Sequence, residues 1–244
     1  MKIIDCPWEL ANLDCRVAEI SVDADEKIDE TVLMEVEQNC DYVVVKVESG
    51  LMHNQLILCN HGYALAETQL SMRKAKKDWN WVQDPFASRM MPLLSSERIV
   101  DEMALDELLT KITPGMFSTD RIYLDPAFGP EYGLRRYRNW IRTEWEKGGI
   151  LHKHLYDGNY VGFSLCKLDG KEFKCFLVGV FEEYQKKKLG FVVPLVPEII
   201  STFDYKWYTV KISTNNIPVY KMYQWQNYEI NKFEYVFIKH IEHK

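Results

Sequence analysis

The sequence predicts an α/β protein, and three observations carry that class. A period-two stretch from 150 to 180 is cut by two Asp-Gly turns, strand-like and helix-like runs alternate through the first 75 residues, and the alternation resumes from Glu172 to Ile241.

Trp8 to Ile20 leads into a short strand near Val17 to Val22. An acidic helix is expected around Ala24 to Asn39, and the β-branched run Tyr42 to Val47 reads as a buried strand. Leu51 to Asn60 reads as a helix stopped by His61-Gly62, and Ala64 to Lys74 as a strand. This unit is too short to complete a core, so it is expected to continue the sheet of the second part of the chain. Residues 76 to 94 mix charge, aromatics and two prolines without a period, which is the pattern of a connection. Trp79, Trp81 and Phe86 are expected to pack on the sheet or line a groove.

In the second part, Arg98 to Val100 suits a first strand, and Asp101 to Lys111 suits a helix with acids in its first turn. Thr119 to Leu124 leads to Asp125-Pro126. After Gly133, Leu134 to Lys147 is expected to be helical, with Tyr137, Trp140, Ile141 and Trp145 at helical spacing. Ile150 to Tyr156, Tyr160 to Leu168 and Glu172 to Val180 make a three-stranded antiparallel meander, because Asp157-Gly158 and Asp169-Gly170 are strong hairpin signals. A helix ending near Phe203, a strand at Trp207 to Ser213, a helix at Asn216 to Gln226 and a strand at Glu234 to Ile241 complete the chain. Tyr235, Phe237 and Lys239 share one face of that last strand.

The 244 residues, 47% hydrophobic and 27% charged, have the composition of a globular protein with a substantial core. A net charge of −6 and a pI near 5.6 argue against non-specific nucleic-acid binding, which needs a basic face. No apolar run approaches the roughly 20 residues of a membrane span, and MKIIDCPWEL lacks a secretory apolar region, so a cytoplasmic protein without a membrane partner is expected. Cys6, Cys15, Cys40, Cys59, Cys166 and Cys175 form no CxxC pair and read as reduced core thiols.

The stretch from Lys171 to Gly190, followed by FVVPLVPEII, reads as strand, loop, helix. A loop opening a helix presents unpaired N–H groups and the positive end of the helix dipole, which suits a pyrophosphate. Lys186, Lys187 and Lys188 add positive charge there; a lysine run by itself reads as a solvated turn.

Val180-Phe-Glu-Glu-Tyr-Gln185-Lys-Lys-Lys188-Leu-Gly190 resembles the acetyl-CoA loop of the GNAT N-acetyltransferases, V-x-P-x-x-[Q/R]-x-x-G-x-[G/A]. Asn216-Ile-Pro-Val219-Tyr-Lys-Met-Tyr223-Gln-Trp-Gln-Asn227-Tyr228 resembles that family's later signature, N-x-x-A-x-x-x-Y-x-x-x-G-F. Glu182 stands where the family usually has Pro, Lys188 where it has its first loop Gly, Val219 where it has Ala and Asn227 where it has Gly. Glycine at the first loop position lets backbone approach phosphate closely.

The resemblance implies a GNAT domain over 95–244, a mixed and mostly antiparallel sheet flanked by helices, with 1–94 as a partial α/β extension and connection. It implies acetyl-CoA as co-substrate, held by Val178, Gly179, Val180, Gln185, Lys186, Lys187, Lys188, Leu189, Gly190, Asn216 and Tyr223. The strand at Phe176 to Val180 would splay from its neighbour and pair with the pantetheine arm, its amides polarising the acetyl carbonyl. Gly179 would permit that approach, or mark a bulge.

Tyr223 is the implied general acid: a phenol of reference pKa about 10 keeps its proton at neutral pH and can give it to a thiolate whose conjugate acid lies near 8.5. Val219, Tyr220 and Tyr223 at helical spacing also suit a core. Glu182, Glu183 and His154 are the candidates for a base; His152 and His154 share a strand face and lack a third metal ligand in register. Asp125, Tyr137 and Trp140 are candidate walls of the acceptor pocket.

The partner expected is a small amine, with a homodimer as the assembly to test. The opening from Trp8 to Ile20 loosely resembles the branch similar to TDP-fucosamine acetyltransferase, which implies a nucleotide-linked amino sugar as acceptor. The alternative is a degenerate GNAT module that binds CoA or a partner protein without turnover, which Lys188 favours.

Overall fold

The structure is a computed structural model that describes residues 1–78, 85–187, 189–191, 193 and 203–243. The strands are β1 (Lys2–Asp5), β2 (Val17–Val22), β3 (Tyr42–Glu48), β4 (Ala64–Ala75), β5 (Leu94–Arg98), β6 (Ile150–Tyr156), β7 (Asn159–Asp169), β8 (Glu172–Val180), β9 (Trp207–Ser213) and β10 (Glu229–His240). They form one sheet in the order β1-β2-β3-β10-β4-β9-β8-β7-β6-β5. The pairs β2/β3 and β8/β9 are parallel, and the other neighbours are antiparallel.

β4 comes from the first part of the chain yet lies between β9 and β10. It pairs with both, from Gln69↔Ser213 to Ala75↔Trp207 and from Glu229↔Arg73 to Ile238↔Ala64. The early strands therefore close a gap in the later sheet as well as extend its edge. β3, with Val43, Val44 and Val45 all buried, shows the β-branched run of a strand covered on both faces.

The helices are α1 (Trp8–Leu13), α2 (Glu30–Asn39), α3 (Met52–Asn60), α4 (Pro85–Met90), α5 (Glu102–Lys111), α6 (Arg121–Leu124), α7 (Pro130–Glu146), α8 (Glu182–Gln185) and α9 (Ile217–Trp225). α5 and α7 bury Leu105, Leu108 and Ile141 against Phe163, Leu165 and Leu177 on one face, and Ile122 of α6 meets Val44 and Val236 there. On the other face Leu33 and Leu58 cover β2, β3 and β10, while Met222 and Tyr223 of α9 cover β4, β8 and β9. Caps set the helix starts: Asp29 accepts from the amides of Thr31 and Val32, and Asp101 accepts from Ala104 at 2.8 Å.

Several boundaries differ from those the sequence suggests. α2 begins only at Glu30, where Asp29 caps it. α7 begins at Pro130, because proline is tolerated in a first helical turn. Gly133 is therefore inside that helix, where a Cβ would lie 3.7 Å from Tyr123. The first strand of the second part is Leu94–Arg98 rather than Arg98 to Val100, since the buried Leu94 pairs with Tyr156 and Arg98 already ends the ladder opposite His152. The connection contains α4, whose Phe86 meets Trp225 edge-on at 6.4 Å. Trp79, Trp81 and the helix expected to end near Phe203 lie outside the described residues. The Asp157-Gly158 turn has both residues at positive φ, 49° and 74°, as a two-residue hairpin loop requires. No described helix is long and apolar enough to cross a membrane.

Candidate active site

The site is built on a parting of β8 from β9. β8 stays paired with β7 as far as Gly162↔Val180, but its ladder with β9 runs only from Glu172↔Trp207 to Cys175↔Val210. β9 continues to Ser213 on the arm of β4. The five residues Phe176 to Val180 thus continue past Cys175 without a partner on β9, and the two strands part there in a wedge.

The local cause is a bulge. The β7/β8 register passes from Leu165↔Leu177 to Cys166↔Cys175, which leaves Phe176 as an extra residue in β8. A bulge bends its strand and increases its twist, turning β8 away from β9. It also resets the faces: Phe173 and Cys175 pack under α9, whereas Phe176 and Leu177 both pack toward α5 and α7. Phe176 stacks on Trp140 at 5.8 Å, and Tyr137 stacks on Phe117 at 3.9 Å, so Tyr137 and Trp140 pack in the core cluster between α7 and the sheet. Asp125 is elsewhere, buried near β3 and β10 at 2.9 Å from His240 Nε2.

Val178 points to the other face and packs against the cluster that holds Tyr223. Gly179 is buried, and a Cβ on it would collide with the Met116 methyl and the Phe163 ring. Its missing side chain is thus filled by the protein on the α7 side, and the bulge sits three residues earlier. Past Val180 the chain turns through α8, fixed by Gln185 Nε2, which donates to Val180 O at 3.2 Å and Met116 O at 3.4 Å.

Glu182 lies against Gly115, and Lys187 sits over the Tyr184 ring at 4.6 Å. Lys186 and Lys187 are exposed; the Lys187 amide donates to Tyr184 O within the turn and is committed there. Lys188 lies outside the described residues. Leu189 is buried, while a Cβ on Gly190 would meet no atom of the described residues within 4 Å.

Behind the wedge, Asn216 caps α9 by accepting from Val219 N at 3.2 Å, which aligns Tyr223 further along the same helix. Tyr223 is 3% exposed and meets Tyr228 edge-on at 4.7 Å. Burial raises its hydroxyl well above the ordinary phenol range, so it keeps its proton at neutral pH.

Cys166, Cys175, Tyr205, Tyr208 and Tyr228 complete this cluster. Burial pushes the Cys166 thiol well up, whereas Cys175 is lowered because Cys166 and then Tyr208 hydrogen-bond to it. The sequence marks these cysteines only as core thiols; their meeting depends on the β7/β8 register and its bulge, which no residue spacing announces.

His154 is fully buried, with Nδ1 on Ser96 Oγ and Nε2 at 2.9 Å from Ser164 Oγ. Burial, then the neighbouring His152, lowers it to about 3; burial and Arg98 lower His152 to about 4. Both rings are neutral at physiological pH, and His154 is fully engaged by two hydroxyls. Among the described residues no group of three His, Cys, Asp or Glu could hold a metal.

Neither a protein-family model nor a curated protein sequence matches the chain. Solved structures do match its fold. A GCN5-related N-acetyltransferase from Sphaerobacter thermophilus aligns with a TM-score of 0.60 at 11% identity, over 88% of this chain and 66% of that one. A tandem GNAT protein from the clavulanic acid biosynthesis pathway aligns at 0.58 with 9% identity, over 94% and 79%. A glucosamine N-acetyltransferase region in a fungal multi-domain GH3 β-N-acetylglucosaminidase aligns at 0.57 with 11% identity, over 80% of this chain and 25% of that one. At these identities the likeness is one of fold: a mixed α/β architecture with a large sheet flanked by helices.

Proposed function

We propose that the chain is an acetyl-CoA-dependent N-acetyltransferase acting on a small amine. The observation that carries the reading is the wedge between Phe176–Val180 and β9 with a buried, protonated tyrosine behind it. An unpaired strand edge accepts an extended arm as an added strand, and pantetheine carries amides that can pair this way. The amides of the splayed segment supply fixed donors toward the oxygen that gains charge when an amine attacks a thioester. Tyr223 gives its proton to the departing thiolate. Burial keeps the phenol protonated at neutral pH, so the proton is present when the thiolate forms.

The diphosphate falls to the turn that follows Gln185, where Lys186 and Lys187 are exposed and supply charge. Asn216 acts through the α9 cap, as a positioning residue for Tyr223. An amine partly neutral near pH 8 can lose its proton to water, so no buried base is needed. The acceptor we favour is a nucleotide-linked amino sugar, on the loose likeness of Trp8 to Ile20 to that branch and on the glucosamine activity named for one structure of the same fold.

Acetyl-CoA is expected to raise the melting temperature, and thiol release is then expected with members of a panel of amines and amino-sugar nucleotides. No thermal shift at saturating acetyl-CoA overturns the proposal. A shift without thiol release from any amine favours the non-catalytic CoA-binding module.

A further inference from the structure

Beside the wedge, the sheet face that carries α5, α6 and α7 is polar. Val44 and Val236 point to that face and pack with Ile122, so by alternation Lys46 and Glu234 point the same way. The registers add Glu67 and Gln69 of β4 and Lys211 and Ser213 of β9, and the ion pair of Lys211 with Glu234 agrees with that facing. This stretch reaches solvent: 44% of the Lys211 side chain is exposed, and Gln69 and Ser213 are half-buried. β9 borders the wedge from Lys211 to Ser213, where its ladder with β8 has ended, and β4 is the next strand, about 4.8 Å further on. The cluster around Tyr223 fills the opposite face of β8 and β9, so an amine reaches the wedge from the polar side.

Three planar side chains converge there. Gln69 Nε2 donates to Glu67 Oε1 at 2.8 Å, and Arg121 Nη1 stands 3.7 Å from the same oxygen, an ion pair too long for a hydrogen bond. The Glu67 and Arg121 side chains are 3% and 11% exposed. A carboxylate only accepts, so it takes the amide nitrogen of Gln69 and leaves the amide oxygen turned away. That oxygen and Arg121 Nε are both buried without a hydrogen-bond partner among the described residues. One lacks a donor and the other an acceptor, and each carries a desolvation cost that a bound group would offset. A carboxylate or phosphate would satisfy only Arg121, and an ammonium only Gln69. A hydroxyl both donates and accepts, so two neighbouring hydroxyls satisfy both.

Resting on the acetyltransferase reading above for the direction of the amine, we propose that Glu67, Gln69 and Arg121 recognise the ring hydroxyls of a sugar acceptor and thereby set its specificity. Gln69 lies opposite Ser213 in the register, one strand beyond the edge of the wedge, a distance that a six-membered ring and its substituents span. The ring then lies over β4 and β9 with its amine toward the acetyl carbonyl. Recognition falls on the hydroxyls, which a free amino sugar and a nucleotide-linked one share. A site built to hydrogen-bond hydroxyls rejects an analogue that lacks them, because its own polar groups are left unpaired.

The probes are glucosamine, UDP-glucosamine and cyclohexylamine, the last being the same ring size without hydroxyls. Saturation-transfer NMR in the presence of CoA, which cannot acetylate, is expected to show transfer to the ring protons of a sugar and none to cyclohexylamine. Thiol release from acetyl-CoA is expected with kcat/KM for a sugar at least about 10-fold above that for cyclohexylamine. Gln69→Met, similar in size and without the amide, is expected to lower the sugar's kcat/KM about 10-fold through KM, and to leave cyclohexylamine and the thermal shift by acetyl-CoA unchanged. A response to either sugar supports the inference, and the preference between them tells a nucleotide-linked acceptor from a free one. If Gln69→Met does not fold, the wild-type comparison of sugar with cyclohexylamine decides. Cyclohexylamine used as well as the sugars, or an equal loss toward both kinds of amine in Gln69→Met, overturns this inference and leaves the acetyltransferase reading standing. Saturation of a sugar ring without thiol release counts against transfer and for the recognition; neither saturation nor release with a sugar overturns the recognition.

Discussion

Replacing His154 by Gln should change how the fold responds to acid. His154 lies on β6 between β5 and β7, its two nitrogens engaged by Ser96 and Ser164, with His152 as the neighbouring titratable group and Arg98 opposite the latter. Folding lowers His154 from 6.5 to about 3, so between those values the unfolded chain binds a proton that the folded chain does not. Stability is therefore full above the unfolded value and falls as pH drops through the window from 6.5 toward 3.

Each unit of separation is worth about 1.4 kcal/mol, which makes the loss at pH 5 about 2 kcal/mol for this residue. A glutamine spans the same serines without titrating. Urea unfolding of both proteins at about pH 7.5, 6 and 5 should show wild type losing about 2 kcal/mol more than His154→Gln over that range, whatever their absolute stabilities. Equal pH slopes, or a steeper slope in the variant, would refute the assignment of His154 as a neutral structural group.

Three further outcomes rest on the same kind of contact. Gly179→Ala drives a methyl into Met116 and Phe163 and should cost about 1–3 kcal/mol in a denaturation experiment, with an unchanged melting temperature counting against the close packing described. Asp101→Ala removes the acceptor for Ala104 N and should cost about 1 kcal/mol, read by the same unfolding curves. Tyr223→Phe should leave the thermal shift by acetyl-CoA intact while lowering turnover about 10²-fold or more, and unchanged turnover would remove the tyrosine from the chemistry.

The meander was legible because its signals are local: Asp157-Gly158 and Asp169-Gly170 fix two tight turns, and alternation between them sets the faces. The helix at α9 was legible for the same reason, with Asn216 as its cap and Pro218 in its first turn. β1 was not, since KIID is short and mostly exposed and is held by pairing with Ile20 and its neighbours, far along the chain. The insertion of β4 between β9 and β10 is likewise a matter of long-range pairing, to which no local run of residues points.

At the site, the splay could be expected from the resemblance but its cause could not be read. Phe176 looks like one more residue of an alternating strand, and only the register with β7 shows that it is the extra one. The same register brings Cys166 opposite Cys175, two residues that composition alone assigns to an inert core.

Amide hydrogen exchange across β8 with and without acetyl-CoA addresses the wedge most directly. The account predicts that amides between Phe176 and Val180 slow markedly when acetyl-CoA is bound, together with those near Tyr223, while the already paired Glu172 to Cys175 change little. Protection that appears elsewhere, or exchange in Phe176 to Val180 that acetyl-CoA leaves untouched while it still raises the melting temperature, would contradict it.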